Sequence, residues 1–347
     1  MSVNESVAIF GHTLARDLVR VSRDPGEITN GWWAVVQTFE GEFFGFQFNA
    51  ITDDADNFLD SHATDFHVKE ESWRSSLSQI DYEAGVTKIR EHIAHGWVYQ
   101  TNYCRVLSAQ LEGEFDSCAL LRRIQTENPA PFASALHIPA IESGLNFDIR
   151  VASASPELFL QRVGDRIVSS PIKGTAVRED LMLEKDQAEN VMIVDLIRND
   201  LSHVCIPGTV TVPDLLRIEN HPGLSHLVSD VAGVLNLGTT WSDILLAMMP
   251  PGSVSGAPKH SALSVISELE PVNRQIYCGT IGWIDADANT AQLSVAIRTF
   301  WQDFENPNMI CFGTGAGITY SSDPTGEWLE TELKASHLLK VAANTNR

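Results

Sequence analysis

Residues 277–319, YCGTIGWIDADANTAQLSVAIRTFWQDFENPNMICFGTGAGIT, decide the fold class of this chain. They contain three strand-like runs in succession, Gly279–Trp283, Ala291–Phe300 and Met309–Thr319, which are separated by turn residues. No helical pattern lies between these runs, whereas a doubly wound parallel sheet needs a helix after nearly every strand. The stretch therefore favours an α+β fold over a doubly wound one.

The rest of the chain contains further strand patterns and also helical patterns. Further strand patterns cover Trp32–Gln37, Phe43–Phe48, Val98–Leu107, Phe147–Ala154, Leu158–Leu160 and Arg166–Ser169. Helical patterns cover Tyr82–His95, Cys118–Thr126, Glu184–Leu201, Trp241–Met249, Ser261–Glu268 and Gly326–Ala343. The polar, acidic segment 51–75 is predicted to be a linker or an exposed excursion. The pattern changes near Tyr82, so we divide the chain into a strand-rich N-terminal region, 1–75, and a larger region, 76–347, packed as one structural unit.

Composition limits the function classes. The 347 residues are 44% apolar and 20% charged, which is typical of a soluble globular protein. The formal net charge of -21 opposes binding to nucleic acid or to an anionic membrane. No stretch approaches the roughly 20 apolar residues of a membrane span, and no signal peptide is evident, so we expect a cytoplasmic protein. The five scattered cysteines are expected to be buried thiols rather than a disulfide frame or a zinc site.

Two residues are candidates for covalent and acid chemistry. Lys173, in SPIKGT, lies between a strand-like segment and a Gly-Thr turn, where the chain can approach a ligand closely. Burial or nearby cations can make a lysine amine a nucleophile, although a surface lysine is the commoner interpretation of an isolated one. Glu157, in SPELF, places a carboxyl between strand candidates, as a proton donor to a leaving hydroxyl requires.

Two acidic pairs are candidates for a metal site. Asp186 and Glu189 are three residues apart on one helical pattern, and Glu327 and Glu330 are three apart on another, with Lys334 following. Each pair alone is more commonly a solvated helix face. If both pairs faced one cavity, their repulsion would require a cation, and oxygen ligands select Mg²⁺ rather than zinc.

Two further features are suited to binding an anion. The alternating glycines of residues 313–318, GTGAGI, could expose backbone N–H groups to an anionic oxygen, although a bulged, glycine-tolerant strand explains the pattern equally well. The spacing matches neither a dinucleotide fingerprint nor a P-loop. Arg298, in AIRT, carries a planar guanidinium that suits a carboxylate.

Taken together, these segments resemble the chorismate-binding enzymes, a family that includes anthranilate synthase component I, aminodeoxychorismate synthase component I, isochorismate synthase and salicylate synthase. The resemblance runs from about Tyr82 to the C-terminus and implies two orthogonally packed antiparallel β-sheets flanked by helices. The motifs that carry it stand in the family's order: YQTN (Tyr99–Asn102), SPELF (Ser155–Phe159), PIKGT (Pro171–Thr175), AENVMIVDLIRNDL (Ala188–Leu201), HLVS (His226–Ser229), PGSVSGAPK (Pro251–Lys259), ELEP (Glu268–Pro271), YCGTIGW (Tyr277–Trp283), AIRT (Ala296–Thr299) and GTGAGI (Gly313–Ile318).

Two positions separate the chemistries within this family. PIKGT resembles the aminodeoxychorismate synthases, whereas anthranilate synthases carry PIAGT, so Lys173 is the most informative residue. Gln100 stands where isochorismate and salicylate synthases carry a water-activating lysine, and an amide cannot act as that base. The resemblance thus implies amination of chorismate at C4 to 4-amino-4-deoxychorismate. The other chorismate chemistries and a non-catalytic subunit are the alternatives.

The resemblance also implies a role for each site residue. Lys173 would attack C2 of chorismate while Glu157 protonates the departing C4 hydroxyl, and ammonia would then add at C4 and expel Lys173. Mg²⁺ would be held by Glu189 and Glu330, with Glu327 and Asp186 close by, and would bind the ring carboxylate. The substrate-binding residues would be Gly174, Thr175, His226, Ser253, Tyr277, Arg298, Gly315, Ala316, Gly317 and Lys334.

The source of ammonia is expected to be a second protein. The sequence shows no amidotransferase signature around a nucleophilic cysteine, and the family pairs with a separate glutamine amidotransferase (glutaminase) subunit. We find only half of the family's tryptophan pocket, at Asn128–Phe132, so tryptophan inhibition is not expected.

Overall fold

The computed structural model describes residues 5–61, 66–176, 184–221 and 224–344. The strands are β1 (Val7–Phe10), β2 (Thr13–Ser22), β3 (Trp32–Gln37), β4 (Phe43–Thr52), β5 (Arg74–Ser75), β6 (Gln100–Gln110), β7 (Phe132–Ile138), β8 (Ile149–Ser155), β9 (Leu158–Val163), β10 (Arg166–Ser170), β11 (Ile172–Ala176), β12 (Thr211–His221), β13 (Leu224–Val234), β14 (Gly256–Ala257), β15 (Thr280–Asp285), β16 (Thr290–Val295), β17 (Thr299–Gln302) and β18 (Met309–Ile318). The helices are α1 (Ala55–Ser61), α2 (Gln79–Ala94), α3 (Ser117–Glu127), α4 (Ala140–Ser143), α5 (Glu184–Ser202), α6 (Trp241–Met248), α7 (Lys259–Leu269) and α8 (Pro324–Ala343).

The described strands pair antiparallel throughout and form one continuous ladder. Its order is β13, β10, β9, β16, β15, β3, β4, β2, β1, β7, β8, β17, β18 and β6. Strands β11 and β12 pair with β13 at one end, and β5 and β14 pair with β6 at the other. Because a helix seldom intervenes between strands that pair, the α+β prediction is confirmed.

The ladder folds over into two layers that share a core. We call β9, β16, β15, β3 and β4 the β3 layer, and β7, β8, β17, β18 and β6 the β18 layer. Trp33 and Phe44 from the first layer are buried in one hydrophobic cluster with Val151 and Trp301 from the second. Helices α3 and α8 cover the β18 layer through a second cluster. The predicted pair of packed antiparallel sheets is present, and the two layers are hydrogen-bonded parts of a single sheet.

The chain crosses between the layers at two neighbouring segments. One crossing joins β8 to β9 and contains Glu157, and the other joins β16 to β17 and contains Arg298. The crossings are hydrogen-bonded to each other, because Val295 N–H donates to the Glu157 carbonyl at 3.0 Å and Ala154 N–H donates to the Arg298 carbonyl at 2.9 Å. These two side chains are therefore brought to one end of the layered sheet.

The second crossing corrects a strand prediction. Ala291–Phe300 reads as one strand in the sequence, but the structure ends β16 at Val295 and starts β17 at Thr299. Arg298 between them has a φ of 51°, in the left-handed region that a strand cannot use. The run stays apolar because both of its parts are buried, each in a different layer.

The segment 51–75 is also not simply exposed. Within its described part, α1 buries Ala55, Phe58 and Leu59, and Val68 is buried as well. The prediction of a linker is therefore wrong for these residues, whereas 62–65 lie outside the described part of the chain. The five cysteines are buried thiols, as predicted. Among the described helices, none combines the length and the hydropathy that spanning a bilayer requires.

We expect Phe44→Ala to lower the free energy of unfolding by about 3–5 kcal/mol, because it leaves a cavity in the core shared by both layers. The Phe44 ring is fully buried and lies 5.9 Å from the Phe147 ring and 5.7 Å from the Phe304 ring, centroid to centroid. Urea denaturation measures the change, with exposed Leu237→Ala as the control. Equal stability of the two variants would contradict the shared core.

Candidate active site

Lys173 and Glu157 meet at Ser253. Lys173, on β11, donates a hydrogen bond from Nζ to the Ser253 carbonyl at 2.8 Å. Glu157, in the first crossing, is hydrogen-bonded to the Ser253 side chain and lies close enough to Lys173 for their charges to interact. The amine and the carboxyl, which are separate in the sequence, therefore share one place in the fold.

Glu157 is held in a state suited to giving up a proton. Its side chain is 4% exposed, and this burial raises the pKa of the carboxyl to about 7. The hydrogen bond from Ser253, the charge of Lys173 and a bond from the Ile172 backbone favour the carboxylate, but they offset the loss of hydration only in part. At neutral pH a large fraction of Glu157 therefore carries a proton in a site that also holds an amine.

The irregular course of β11 sets the position of Lys173. The register of β11 against β13 shifts between Ile172 and Thr175, and Gly174 within the shift has a φ of 83°. Glycine adopts this conformation without strain, which is why the Lys-Gly pair can depart from the ladder. Thr175 lies opposite the buried His226 on β13. The side chain of Thr175 is outside the described part of the structure.

Strand β18 and helix α8 form a second part of the site. Lys334 on α8 forms an ion pair with Glu330 at 2.6 Å and donates a hydrogen bond to the Gly315 carbonyl at 3.1 Å. In a strand, the N–H and C=O of one residue point to the same edge. Because the Gly315 carbonyl points to Lys334, the Gly315 N–H also points toward Lys334 and away from β6. Gly317 shares this orientation, whereas the Ala316 N–H points to β6. Of the three predicted amide donors, Gly315 and Gly317 are thus suited to the role.

Glu189 approaches the same strand from α5. Gln100 Nε2 donates to the Glu189 carboxylate at 3.3 Å, and Gln100 is 1% exposed. A methyl group added at Gly317 would collide with Gln100 Nε2 and would lie 3.7 Å from Glu189 Oε2. Glu189 thus lies beside Gly317, and Lys334, the ion-pair partner of Glu330, binds the carbonyl of Gly315 two residues away.

The four predicted metal ligands are placed differently from one another. Among the described residues, no group of three or more histidine, cysteine, aspartate or glutamate side chains converges as a metal site would require. Glu327 lies in the first turn of α8, close to Tyr82. Burial raises the pKa of the Tyr82 hydroxyl, and the charge of Glu327 adds to this rise. The Asp186 side chain is outside the described part. Glu189, beside Gly317, and Glu330, paired with Lys334 at Gly315, could supply the carboxylate oxygens that Mg²⁺ prefers.

Arg298 places a cation at the second crossing. Within the described part of the chain its guanidinium makes neither a hydrogen bond nor an ion pair. Burial lowers the pKa of this group, because the charged form loses hydration. A partly buried, unpaired cation is costly unless an anion joins it, so this position is prepared for a negatively charged ligand.

Tyr277 lies deeper than its predicted role requires. It is 5% exposed, its ring covers Gly313, and its hydroxyl interacts with the Cys104 thiol. Burial accordingly raises the pKa of Tyr277 well above its usual range. The structure does not present this hydroxyl beside Lys173 as it does Ser253, so the predicted contact with a carboxylate stays a prediction.

Sequence reasoning missed the buried ion pairs that support Ser253. Arg274 is 1% exposed, pairs with Glu270 at 2.6 Å and donates to the Val254 carbonyl at 2.8 Å. Lys259 pairs with Asp200 at 2.7 Å and donates to the Met248 carbonyl at 3.1 Å. Both pairs fix the ends of the segment that carries Ser253. The four-residue spacing from Glu270 to Arg274 was the available signal.

Known proteins match much of this sequence. The sequence profile described as chorismate binding enzyme matches residues 47–340. Anthranilate synthase component 1 of Saccharolobus solfataricus is 39% identical over 277 residues, which are 76% of this chain and 62% of that protein. Aminodeoxychorismate synthase component 1 of Klebsiella aerogenes is 36% identical over 283 residues, 77% of this chain and 59% of that protein. The chain thus spans about three-fifths of the length of these relatives.

Solved structures share the fold. Anthranilate synthase component I from Streptococcus pneumoniae superposes with a TM-score of 0.76 at 22% identity, over 96% of this chain and 90% of that one. The menaquinone-specific isochorismate synthase of Escherichia coli gives a TM-score of 0.76 at 16% identity, over 97% and 88%. At these identities the likeness establishes the architecture alone.

Proposed function

The chain belongs to the chorismate-binding enzyme family, and from this premise we propose that it aminates C4 of chorismate to give 4-amino-4-deoxychorismate. The observation that carries the proposal is the meeting of the Lys173 amine and the Glu157 carboxyl at Ser253. Amination of C4 by two successive displacements needs a nucleophile at C2 and an acid at the departing hydroxyl, and these residues would supply both.

The proposed reaction consists of two allylic displacements. In the first, the Lys173 amine bonds to C2, the two conjugated ring double bonds shift from C1=C2 and C5=C6 to C1=C6 and C4=C5, and the C4–O bond breaks. Glu157 gives its proton to the departing hydroxyl, which leaves as water. In the second, ammonia bonds to C4, both double bonds shift back to C1=C2 and C5=C6, and the C2–N bond to Lys173 breaks. The Glu157 carboxylate then regains a proton from the incoming nitrogen. Each step leaves oxidation states unchanged.

The two carboxylates of chorismate would be bound by the charged and amide groups around this pair. Arg298 offers a guanidinium that has no partner among the described residues, and Lys334 with the Gly315 and Gly317 N–H groups offers a second anion site. Glu189 and Glu330 would hold Mg²⁺, with Glu327 and Asp186 completing the set. When bound, Mg²⁺ supplies positive charge to the ring carboxylate.

We expect Arg298→Gln to weaken chorismate binding about 10- to 100-fold, because a charge-assisted hydrogen bond to a carboxylate is lost. Titration of tryptophan fluorescence with chorismate measures the dissociation constant. Arg20→Gln, which alters an exposed arginine paired with Glu27, is the matched control. Unchanged affinity in the Arg298 variant would remove this residue from the site.

Ammonia would come from a glutamine amidotransferase subunit, and ammonium salts should replace that subunit in solution. The decisive experiment therefore incubates the full chain with chorismate, Mg²⁺ and ammonium and identifies the product by mass and retention. We expect 4-amino-4-deoxychorismate, which a separate lyase converts to 4-aminobenzoate. Anthranilate as the product would overturn the proposal. Absence of turnover with ammonium and with a glutaminase would favour a non-catalytic subunit.

Anthranilate formation is the second candidate, since relatives bearing that name match at 37–39% identity. Lys173 argues against anthranilate formation, because a direct addition of ammonia at C2 does not require a lysine amine at that carbon. Isochorismate formation is disfavoured by Gln100, whose amide is bonded to Glu189 and cannot remove a proton from water.

A further inference from the structure

Ser253 contacts both of the reacting groups that the proposed function uses. Its backbone carbonyl accepts the hydrogen bond from Lys173 Nζ at 2.8 Å, and its side chain is hydrogen-bonded to the Glu157 carboxyl. Ser253 is only 6% exposed, so little of its surface remains for a substrate. These contacts indicate a role different from the substrate binding that the family resemblance implies for this residue.

The backbone that carries Ser253 is held on both sides. Ser253 is the middle residue of a short 3-10 turn. The carbonyl of the next residue, Val254, accepts a hydrogen bond from the buried Arg274 guanidinium at 2.8 Å. At the preceding residue, Gly252, an added methyl group would approach Leu196 Cδ2 on α5 to 2.9 Å. The turn is therefore packed closely enough to fix the direction of the Ser253 carbonyl and of its side chain.

The Glu157 carboxyl accepts hydrogen bonds from two donors, the Ser253 hydroxyl and the Ile172 backbone N–H, and lies in the field of the Lys173 charge. Burial has the largest effect and raises the pKa of Glu157 to about 7, and these three groups oppose the rise. The other described residues that line the small cavity against Glu157 and Ser253, such as Phe159, are uncharged. The Ser253 hydroxyl is thus a neutral group that acts directly on the acid, and it can be removed without changing any charge.

We propose that Ser253 is a positioning residue for the acid and the amine together: its hydroxyl holds the Glu157 carboxyl, and its carbonyl directs the Lys173 amine. This role rests on the proposed amination and deepens it. A carbonyl oxygen takes an N–H hydrogen and leaves the lone pair of a neutral amine free to attack C2. A hydroxyl that donates to the carboxyl favours its ionised form, so the buried acid releases its proton more readily than burial alone would allow. One short turn therefore sets the two reacting groups relative to each other.

Ser253→Ala removes the hydroxyl and keeps the backbone carbonyl. The kcat of the parent is expected to fall above about pH 7, as Glu157 loses its proton. In the variant we expect this fall to move up by about one pH unit, because the carboxylate loses a donor, and the affinity for chorismate to stay unchanged. Ser255→Ala, which removes a hydroxyl that donates to the Pro251 carbonyl at 3.0 Å, is the matched control and should leave the fall in place.

A pH profile that does not move in Ser253→Ala would overturn the proposal, and weaker chorismate binding in that case would assign the residue to the substrate instead. Ser253→Gly tests the carbonyl, because glycine also lacks the hydroxyl and frees the backbone. We expect the same pH profile as in Ser253→Ala and a kcat lower by a further two- to fivefold, roughly. Equal kcat in the two variants would refute the role of the carbonyl.

Infrared spectroscopy measures the hydroxyl's effect on Glu157 without chorismate. The difference spectrum between the parent and Glu157→Gln contains the carbonyl band of the protonated Glu157 side chain, and its loss with rising pH gives the midpoint of ionisation. We expect a midpoint of about 7 in the parent and one about one pH unit higher in Ser253→Ala, referenced to its own Glu157→Gln form. A shared midpoint would refute the role of the hydroxyl. A shifted midpoint beside a product other than 4-amino-4-deoxychorismate would overturn the amination and leave the contact between Ser253 and Glu157 intact, so the two failures are distinguishable.

Discussion

Lys173→Ala is expected to abolish amination, with a loss in kcat on the order of 10³-fold or more, while chorismate still binds. The reason is that the amine forms the bond to C2 that opens C4 to substitution, whereas Arg298 and Lys334 are left in place to bind carboxylates. Product analysis with ammonium measures the rate, and fluorescence titration measures the affinity. Lys69→Ala, at an exposed lysine paired with Glu112, is the control.

The covalent role of Lys173 has its own readout. Chorismate added without ammonia should give an adduct whose mass exceeds that of the protein by chorismate minus water, and proteolysis should locate the adduct on Lys173. An unchanged product and rate in Lys173→Ala would refute the role of this residue. Redirection to anthranilate would instead identify Lys173 as the residue that selects the product.

Glu157→Gln is expected to lower kcat about 10²- to 10⁴-fold, because the amide cannot protonate the departing hydroxyl. In the parent protein the pKa of Glu157 is raised to about 7, so the acid form is lost as the pH rises through neutrality. We therefore expect the kcat of the parent to fall above about pH 7, and this limb of the profile to be absent in the variant. A parent profile that stays flat from pH 6 to 9 would contradict the assignment.

Glu157→Gln, which is expected to lower activity, is also expected to raise the stability of the folded protein at high pH. The pKa of Glu157 is higher in the folded state than the ordinary carboxyl value of 4.5, so the folded protein binds more protons and loses stability as the pH rises toward 7. Above pH 7 the parent keeps a buried carboxylate, whereas the variant has a neutral amide there. We expect Glu157→Gln to be about 2–3 kcal/mol more stable than the parent at pH 8, measured by urea denaturation. An inactive variant that is also less stable would point to misfolding rather than to loss of the acid.

Much of the local structure could be predicted because the residues themselves determine it. The strand Trp32–Gln37 was predicted with the bounds that the structure shows, and the long helix from Glu184 ends one residue beyond the predicted Leu201. Strands β12 and β13 were missed, since Pro213 and the His-Pro-Gly run at 221–223 are typical of loops. Pairing with distant β10 and β11 determines β13, and a local pattern cannot contain that information.

The candidate site could likewise be predicted only in part from the sequence. Lys173, Glu157 and the glycines of β18 could be proposed from the motifs that resemble the family. That Lys173 and Glu157 meet at Ser253 depends on contacts across 80 residues of sequence for Lys173 and a longer stretch for Glu157. The Arg274–Glu270 pair could not be weighed from sequence, because nothing local shows that Arg274 is buried. Burial is a property of the packed fold, and it also determines the pKa of Glu157.

The two hydrogen-bonded crossings have a consequence for how the protein loses activity. Two groups of the proposed site lie where one layer of the sheet passes into the other. They are the proposed acid, Glu157, and the proposed carboxylate-binding cation, Arg298. A small slide of either layer would change the spacing of these groups before either layer lost its own strand pairing. Turnover should therefore decline at urea concentrations below those that melt the secondary structure.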